Sequence, residues 1–226
     1  MHTSHADFLV AAKPAGLSFH SEGEDAGFVT RLKTLPDCAG LHPVHRLDRI
    51  TSGLVLFARD AAAARRFGEL FERGELRKCY LALSDHTPSK KQGWIKGGME
   101  KGRNGSWRLT RGAGHRAITR FATHSLWPGL RAFRLAPHSG RTHQLRVAMK
   151  SLGAPILGDA RYGGSAADRG YLHAWALRFP WGGRIEEFRL APAEGTHFGD
   201  ARFRAFEAAI DDPWSGLDTP VVESPA

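Results

Sequence analysis

Short runs of strand character follow one another along this chain without the regular alternation with helices that a doubly wound α/β fold requires. The segment ADFLVAAKPAGL, residues 6–17, reads as a strand that ends at a Pro-Ala-Gly turn. GLVLFAR, residues 53–59, is a stronger one, rich in β-branched and aromatic residues. RKCYLALS, AITRFATHSL, LRAFRLAP, YLHAWALRF and IEEFRLAP read as further strands, the second and third joined at Trp-Pro-Gly. Between them helical spacing predicts only a few helices. GFVTRLKTL is a short one. AAAARRFGELFERG has Asp60 as N-cap and Gly74 as its stop. THQLRVAMKSLG carries Leu145, Met149 and Leu152 on one face with Gly153 after it, and DARFRAFEAAI is the last. The expected class is therefore α+β.

At 226 residues and 42% hydrophobic the chain suits one domain with a real core. No apolar run approaches the roughly 20 residues of a membrane helix, and the N-terminus lacks a signal-peptide pattern. Cys38 and Cys79 form no metal-type pair, which points to a reduced, cytoplasmic protein. The net charge is +9, and the six acids and two bases from Asp200 onward leave the body still more basic. A basic body favours a polyanionic partner, nucleic acid first. Residues 87–120 hold nine Lys/Arg against Glu100 alone, with many glycines and with Trp94 and Trp107. They read as the least ordered part, either an RNA-facing surface or a solvated loop. The acidic stretch from Ile210 reads as a solvated tail.

Several chemistries find no support. The spacings of His42 with His45 and of His138 with His143 match no metal motif, and Pro43 opposes a helix under the first pair. GDARYGGS lacks the lysine of a phosphate loop and reads as a turn. PHSGRT is not a nucleophile elbow. The stretch HPVHRLDRITSGLVLFARD is different, because it sets one carboxylate, Asp48, between Arg46 and Arg49 at the mouth of a strand. The bland reading is a surface ion pair, worth little. Against it, an extended entry and a Thr-Ser-Gly turn present Asp48 at a strand end. SGRTHQLR adds Arg141 and Arg146 at a helix start, and RKCYLAL adds Lys78 and Tyr80. Arginine beside a buried carboxylate holds it ionised, and a fixed carboxylate is a plausible nucleophile or base.

HRLDRITSGLVLFA, RKCYLAL, GRTHQLRVAMKSLGAPILGDARYGG and LHAWALRF, with AAKPAGL near the start, make the chain resemble the RluA-type family of RNA pseudouridine synthases. The blocks stand in the family's order over roughly residues 8–190. The resemblance implies a bent, mixed, mostly antiparallel sheet with flanking helices and loops around a central cleft. It implies isomerisation of uridine in ribosomal or transfer RNA, without cofactor or metal. Asp48 is then the nucleophile, Tyr80 packs on the flipped uracil, and Arg146 pairs with Asp48. Arg46 enters the RNA stack and holds the base out. The neighbours His45, Arg49, Thr51, Lys78, Arg141, His143 and Gln144 are expected to contact substrate. Extruding a base costs a few kcal/mol, and a stacking side chain returns roughly 1–3 kcal/mol.

One catalytic domain is expected over residues 1–226, without an N-terminal S4-type domain and with an acidic helix and tail over 200–226. A monomer is the expected state. A competing reading is an RNA-binding or RNA-folding protein of the same fold without turnover. It has no use for a carboxylate in a phosphate-binding cleft. Ala12, Ser139 and Ala148 depart from the family's usual Asn, Thr and His. They touch none of the catalytic positions and bear on substrate choice and packing.

Overall fold

The computed structural model describes residues 3–112 and 114–217. In chain order the elements are β1 (Thr3–Ser4), β2 (Phe8–Lys13), α1 (Phe28–Lys33), β3 (His42–Pro43), β4 (Ser52–Ala58), α2 (Ala61–Glu72) and β5 (Arg77–Ser84). There follow β6 (Gln92–Lys101), β7 (Trp107–Thr110), β8 (His115–Trp127), β9 (Leu130–Pro137), α3 (Gln144–Ser151), β10 (Leu172–Trp181), β11 (Arg184–Arg189), α4 (Thr196–Gly199) and α5 (Ala201–Ala208). The strands join in one mixed sheet of order β1-β2-β4-β10-β5-β9-β8-β6-β7, with β3 on β4 and β11 on β10. The fold is α+β, as its strand-rich, irregular order implies. No helix among the described residues is long and apolar enough to cross a membrane.

The pairing of β4 with β10 is parallel; the others are antiparallel. It is short, His173 with Ser52 and Ala174 with Gly53. Beyond the bulge at Ala174–Ala176, β10 continues beside β11 instead. Gly53 has φ +113°, and a Cβ there would stand 2.2 Å from the Ala174 carbonyl oxygen. Only glycine lets the two backbones meet at this point. The predicted Thr-Ser-Gly turn is therefore displaced. The turn closes earlier, with the Thr51 amide donating to the Asp48 carbonyl at 3.0 Å, and Ser52 already lies in β4.

Alternation along β2 and β4 divides the core in two. Phe8, Val10, Leu54 and Leu56 face Phe67 and Leu70 of α2 together with Trp181. Leu9, Val55 and Phe57 face Phe28, Trp175 and the α3 residues Leu145 and Met149. Each such buried side chain contributes about 1.5–3 kcal/mol. The caps form as read. The Asp60 carboxylate accepts from the Ala63 amide at 2.8 Å, and Gly74 and Gly153 take the left-handed conformation after α2 and α3.

Two expectations fail. Residues 87–120 are not a loop: β6, β7 and the start of β8 form a three-stranded extension of the sheet. Glycine and lysine hide this in the sequence. The extension rests on a small separate core of Met99, Ala117, Val147 and Tyr162, two of which come from distant segments. The acidic stretch is not solvated as far as it is described. Trp214 and Leu217 are fully buried, with the Arg178 guanidinium 4.1 Å from the Trp214 ring centroid. Residues 218–226 lie outside the described residues.

Candidate active site

The loop from Arg46 to Thr51 enters β4 under tight restraint. Lys13, at the end of β2, is 2% exposed. Its ammonium donates to the carbonyls of Pro14 and Thr51, both at 2.9 Å, and to that of Arg49 at 3.4 Å. Below it, Ser52 Oγ bonds His173 Nδ1 at 2.7 Å and accepts from Arg169 at 2.6 Å. Asp48 is thereby presented at the start of β4. Tyr80 and Lys78 approach from β5, the other neighbour of β10, so two strands flanking one central strand converge on a single cleft. That cleft has a volume of about 620 Å³ and is walled on its far side by residues 137–146.

Arg146, on the first turn of α3, is the electrostatic centre. Its Nη1 lies 3.4 Å from Asp48 Oδ2, while Nε and Nη2 each donate at 2.7 Å to the two carboxylate oxygens of Asp159. Such a fork fixes the guanidinium plane. Arg146 and Asp159 are almost wholly buried, whereas the Asp48 side chain keeps 17% of its surface exposed. The Tyr162 ring supports the guanidinium from 4.8 Å. The carboxylate that meets the cleft is thus the loosely held one, and the inner carboxylate is the clamp.

The other ionisable groups follow from burial. Tyr80 is raised by burial and, second, by Asp48, so it is a neutral phenol around pH 7. Burial draws both Lys13 and Lys78 down to about 8, with Asp48 opposing the shift at Lys13. His45 is drawn down to about 3 by burial and by Lys78; its Nε2 accepts from the Leu56 amide at 3.1 Å. His45 is therefore a neutral ring tying the loop to β4. Among the described residues no group of three or more His, Cys, Asp or Glu is arranged to hold a metal ion.

The structure brings together Asp48, Arg46, His45, Thr51, Lys78, Tyr80, Arg141, His143, Gln144 and Arg146 around the cleft. Arg49 is not among them. Its Nε donates to the Gly16 carbonyl at 3.0 Å and Nη1 faces Glu22, because the turn after Asp48 sends the next side chain outward. Gln144 reaches the wall, but its polar atoms are engaged. Its amide nitrogen donates to Ile118 O and Thr119 Oγ1, and its oxygen accepts from Ser139 Oγ and the Arg141 amide. It shapes the Ser139–Arg141 loop rather than offering a free group to a ligand. Thr51 is 2% exposed, buried in the floor. Trp94 is half-buried against His138 and Arg120, and Trp107 against the small core. Sequence reasoning passed over Lys13 and Asp159. Both lie inside blocks that carry the resemblance, AAKPAG and GDARYGG, and the latter by itself reads only as a turn.

The sequence model of the RNA pseudouridylate synthase family matches residues 7–151. An uncharacterized RNA pseudouridine synthase of Haemophilus influenzae is 44% identical over 193 residues, covering 84% of this chain and 86% of that relative. Ribosomal large subunit pseudouridine synthase C of Escherichia coli is 34% identical over 202 residues, covering 80% of this chain; the match spans 62% of that longer protein. Among solved structures, human RNA pseudouridylate synthase domain containing 4 superposes with a TM-score of 0.74 at 23% identity, covering 90% of this chain and 92% of the other, which is a likeness of fold. With the family's sequence matched through the cleft-forming segments and with relatives this similar over most of its length, the chain belongs to the RNA pseudouridine synthase family of isomerases.

Proposed function

We propose that this enzyme isomerises uridine in ribosomal RNA, with Asp48 as nucleophile in a cleft that receives the base flipped out of the RNA. The observation that carries the assignment is the division of labour between two carboxylates on one arginine. Asp159 holds Arg146 by two short bonds, and Arg146 leaves one longer contact for Asp48, the carboxylate that faces the cleft. The reaction breaks the bond from N1 to the sugar, turns the uracil, and joins C5 to the same sugar carbon. The proton on C5 leaves, N1 regains one, and no electrons are gained or lost. Asp48 supplies the covalent attachment during the turn. Tyr80 supplies a flat face for the uracil and enters the reaction protonated. Exposed Arg46 reaches from the rim to occupy the place the base vacates.

The preference for ribosomal RNA is supported by the Escherichia coli relative, a ribosomal large subunit pseudouridine synthase. The experiment is tritium release from RNA labelled at uridine C5, using unmodified ribosomal and transfer RNA transcripts separately, followed by mapping of the modified position. Release from ribosomal RNA is the expected result. Release from transfer RNA alone would overturn the target, and release from neither would overturn the isomerase reading.

Lys13 has a consequence of its own. Its ammonium ties the Arg49 and Thr51 carbonyls, just after Asp48, to that of Pro14. The nearby Asp48 carboxylate favours its charged form, and burial draws it, like Lys78, down to about 8. Below that pH both lysines are charged; above it they lose a proton, so turnover is expected to decline as pH rises past 8. Lys13→Met should lower the plateau on the order of a hundredfold, the cost of a nucleophile displaced by about 1 Å. It should also leave only the Lys78 share of the alkaline decline. A pH–rate profile of unchanged shape in the variant would separate Lys13 from the chemistry.

A further inference from the structure

A second concavity, of about 600 Å³, lies beside the cleft and takes no part in the chemistry described above. Lys101, Arg103, Arg108, Lys150 and Arg161 line it, all exposed, with Trp107 and Tyr162 as its floor. The neighbouring Glu100 pairs with Arg108 at 3.0 Å. Among the described residues no carboxylate lies within ion-pair distance of Lys101, Arg103 or Lys150. With Arg108 engaged by Glu100, the other four cations around the hollow repel one another unless a further anion sits among them.

The hollow is built rather than incidental. The connection between β6 and β7 closes with the Gly102 amide donating to Ser106 O at 2.8 Å and the Ser106 hydroxyl donating to Arg103 O at 2.7 Å. Asn104 adopts the left-handed conformation, and Arg161 donates to its carbonyl, which ties the connection to the opposite wall. Lys101 and Arg103 are therefore presented from an ordered turn. The wall itself is shared with the cleft. The Tyr162 hydroxyl accepts from the Trp107 amide at 2.9 Å and bonds His143 Nδ1 at 2.7 Å, and His143 lines the cleft. The two hollows are thus neighbours across one wall.

We propose that this concavity is a phosphate-binding subsite that grips the RNA backbone flanking the target uridine. The proposal rests on the enzyme's acting on RNA and adds where the strand leaves the cleft. Phosphate contacts of this kind give affinity and register without reading sequence, so they act on binding and not on the bond-making steps.

The test compares wild type with the double variant Lys101→Gln/Arg103→Gln. The control is Arg65→Gln/Arg204→Gln, which removes the same charge from exposed positions on α2 and α5 that line neither hollow. Binding of a fluorescein-labelled single-stranded RNA is measured across a salt series, and tritium release is measured in single turnover at saturating labelled ribosomal RNA. For the double variant the expected result is about tenfold weaker binding at moderate salt, with the salt slope shallower by roughly 1.4, which corresponds to two lost phosphate contacts on a single strand. The saturated rate stays that of wild type, and the control keeps wild-type slope. Unchanged affinity and slope in the double variant would overturn the subsite, as would an equal loss in the control, which would mean bulk charge alone. Wild-type tritium release is read in the same experiment, so failure of the subsite is distinct from failure of the isomerase reading.

Discussion

Asp48→Asn is expected to abolish turnover, by roughly 10⁴-fold or more, while leaving the fold and RNA affinity intact. The substitution keeps the size of the side chain and removes its charge and nucleophilicity. Its structural cost is small because Arg146 retains both short bonds to Asp159, and the Asp48 contact it loses is the long one at 3.4 Å. RNA affinity should hold or rise slightly, since the substitution removes a negative charge from the cleft proposed to receive a polyanion. Tritium release in single turnover, read beside equilibrium binding and thermal denaturation, separates these effects. Isomerisation at the wild-type rate would remove Asp48 from the chemistry. Loss of binding in parallel with turnover would reassign it to substrate recognition.

What the sequence disclosed and what it hid follow physical lines. Local rules sufficed wherever a few neighbouring residues determine the outcome. The N-cap at Asp60, the left-handed stops at Gly74 and Gly153, and the apolar face of α3 needed no knowledge of the rest of the chain. The extension β6–β8 escaped because its order comes from contacts far apart in sequence. Met99 and Ala117 pack on Val147 and Tyr162, and no local pattern announces that. The burial of Trp214 has the same origin: Arg178 sits over its ring and reaches Asp212 at 3.1 Å, while Pro213 O accepts from the Cys79 thiol.

At the site the same division holds. Asp48 stood out because a lone carboxylate among arginines is unusual. Asp159 did not, since an aspartate before a glycine-rich turn is ordinary until its partner is seen. Gln144 converges on the cleft as expected but with its polar atoms engaged, whereas Arg49, adjacent to Asp48 in sequence, does not line it. One side chain is occupied by the loop it organises, and the other turns to Gly16 and Glu22.

The pair Arg146 and Asp159 supplies the other large effect, and it distinguishes folding from catalysis. Arg146→Met leaves Asp159 buried without a cation, and Asp159→Leu leaves a guanidinium buried with only the distant Asp48. Removing one partner of a buried pair destabilises by roughly 3–5 kcal/mol, so each single variant should unfold at clearly lower urea. Replacing both by apolar residues of similar volume removes the stranded charge, and the double variant should recover most of that loss. Turnover should behave differently. Asp48 has no other cation within ion-pair distance among the described residues, and on the proposed mechanism Arg146 orients it. Recovery of stability without recovery of tritium release is therefore the expected outcome of the cycle. If turnover returned along with stability, Arg146 would act on Asp48 only by holding α3 and the turn after it together. Its position 3.4 Å from Asp48 would then have no part in the reaction.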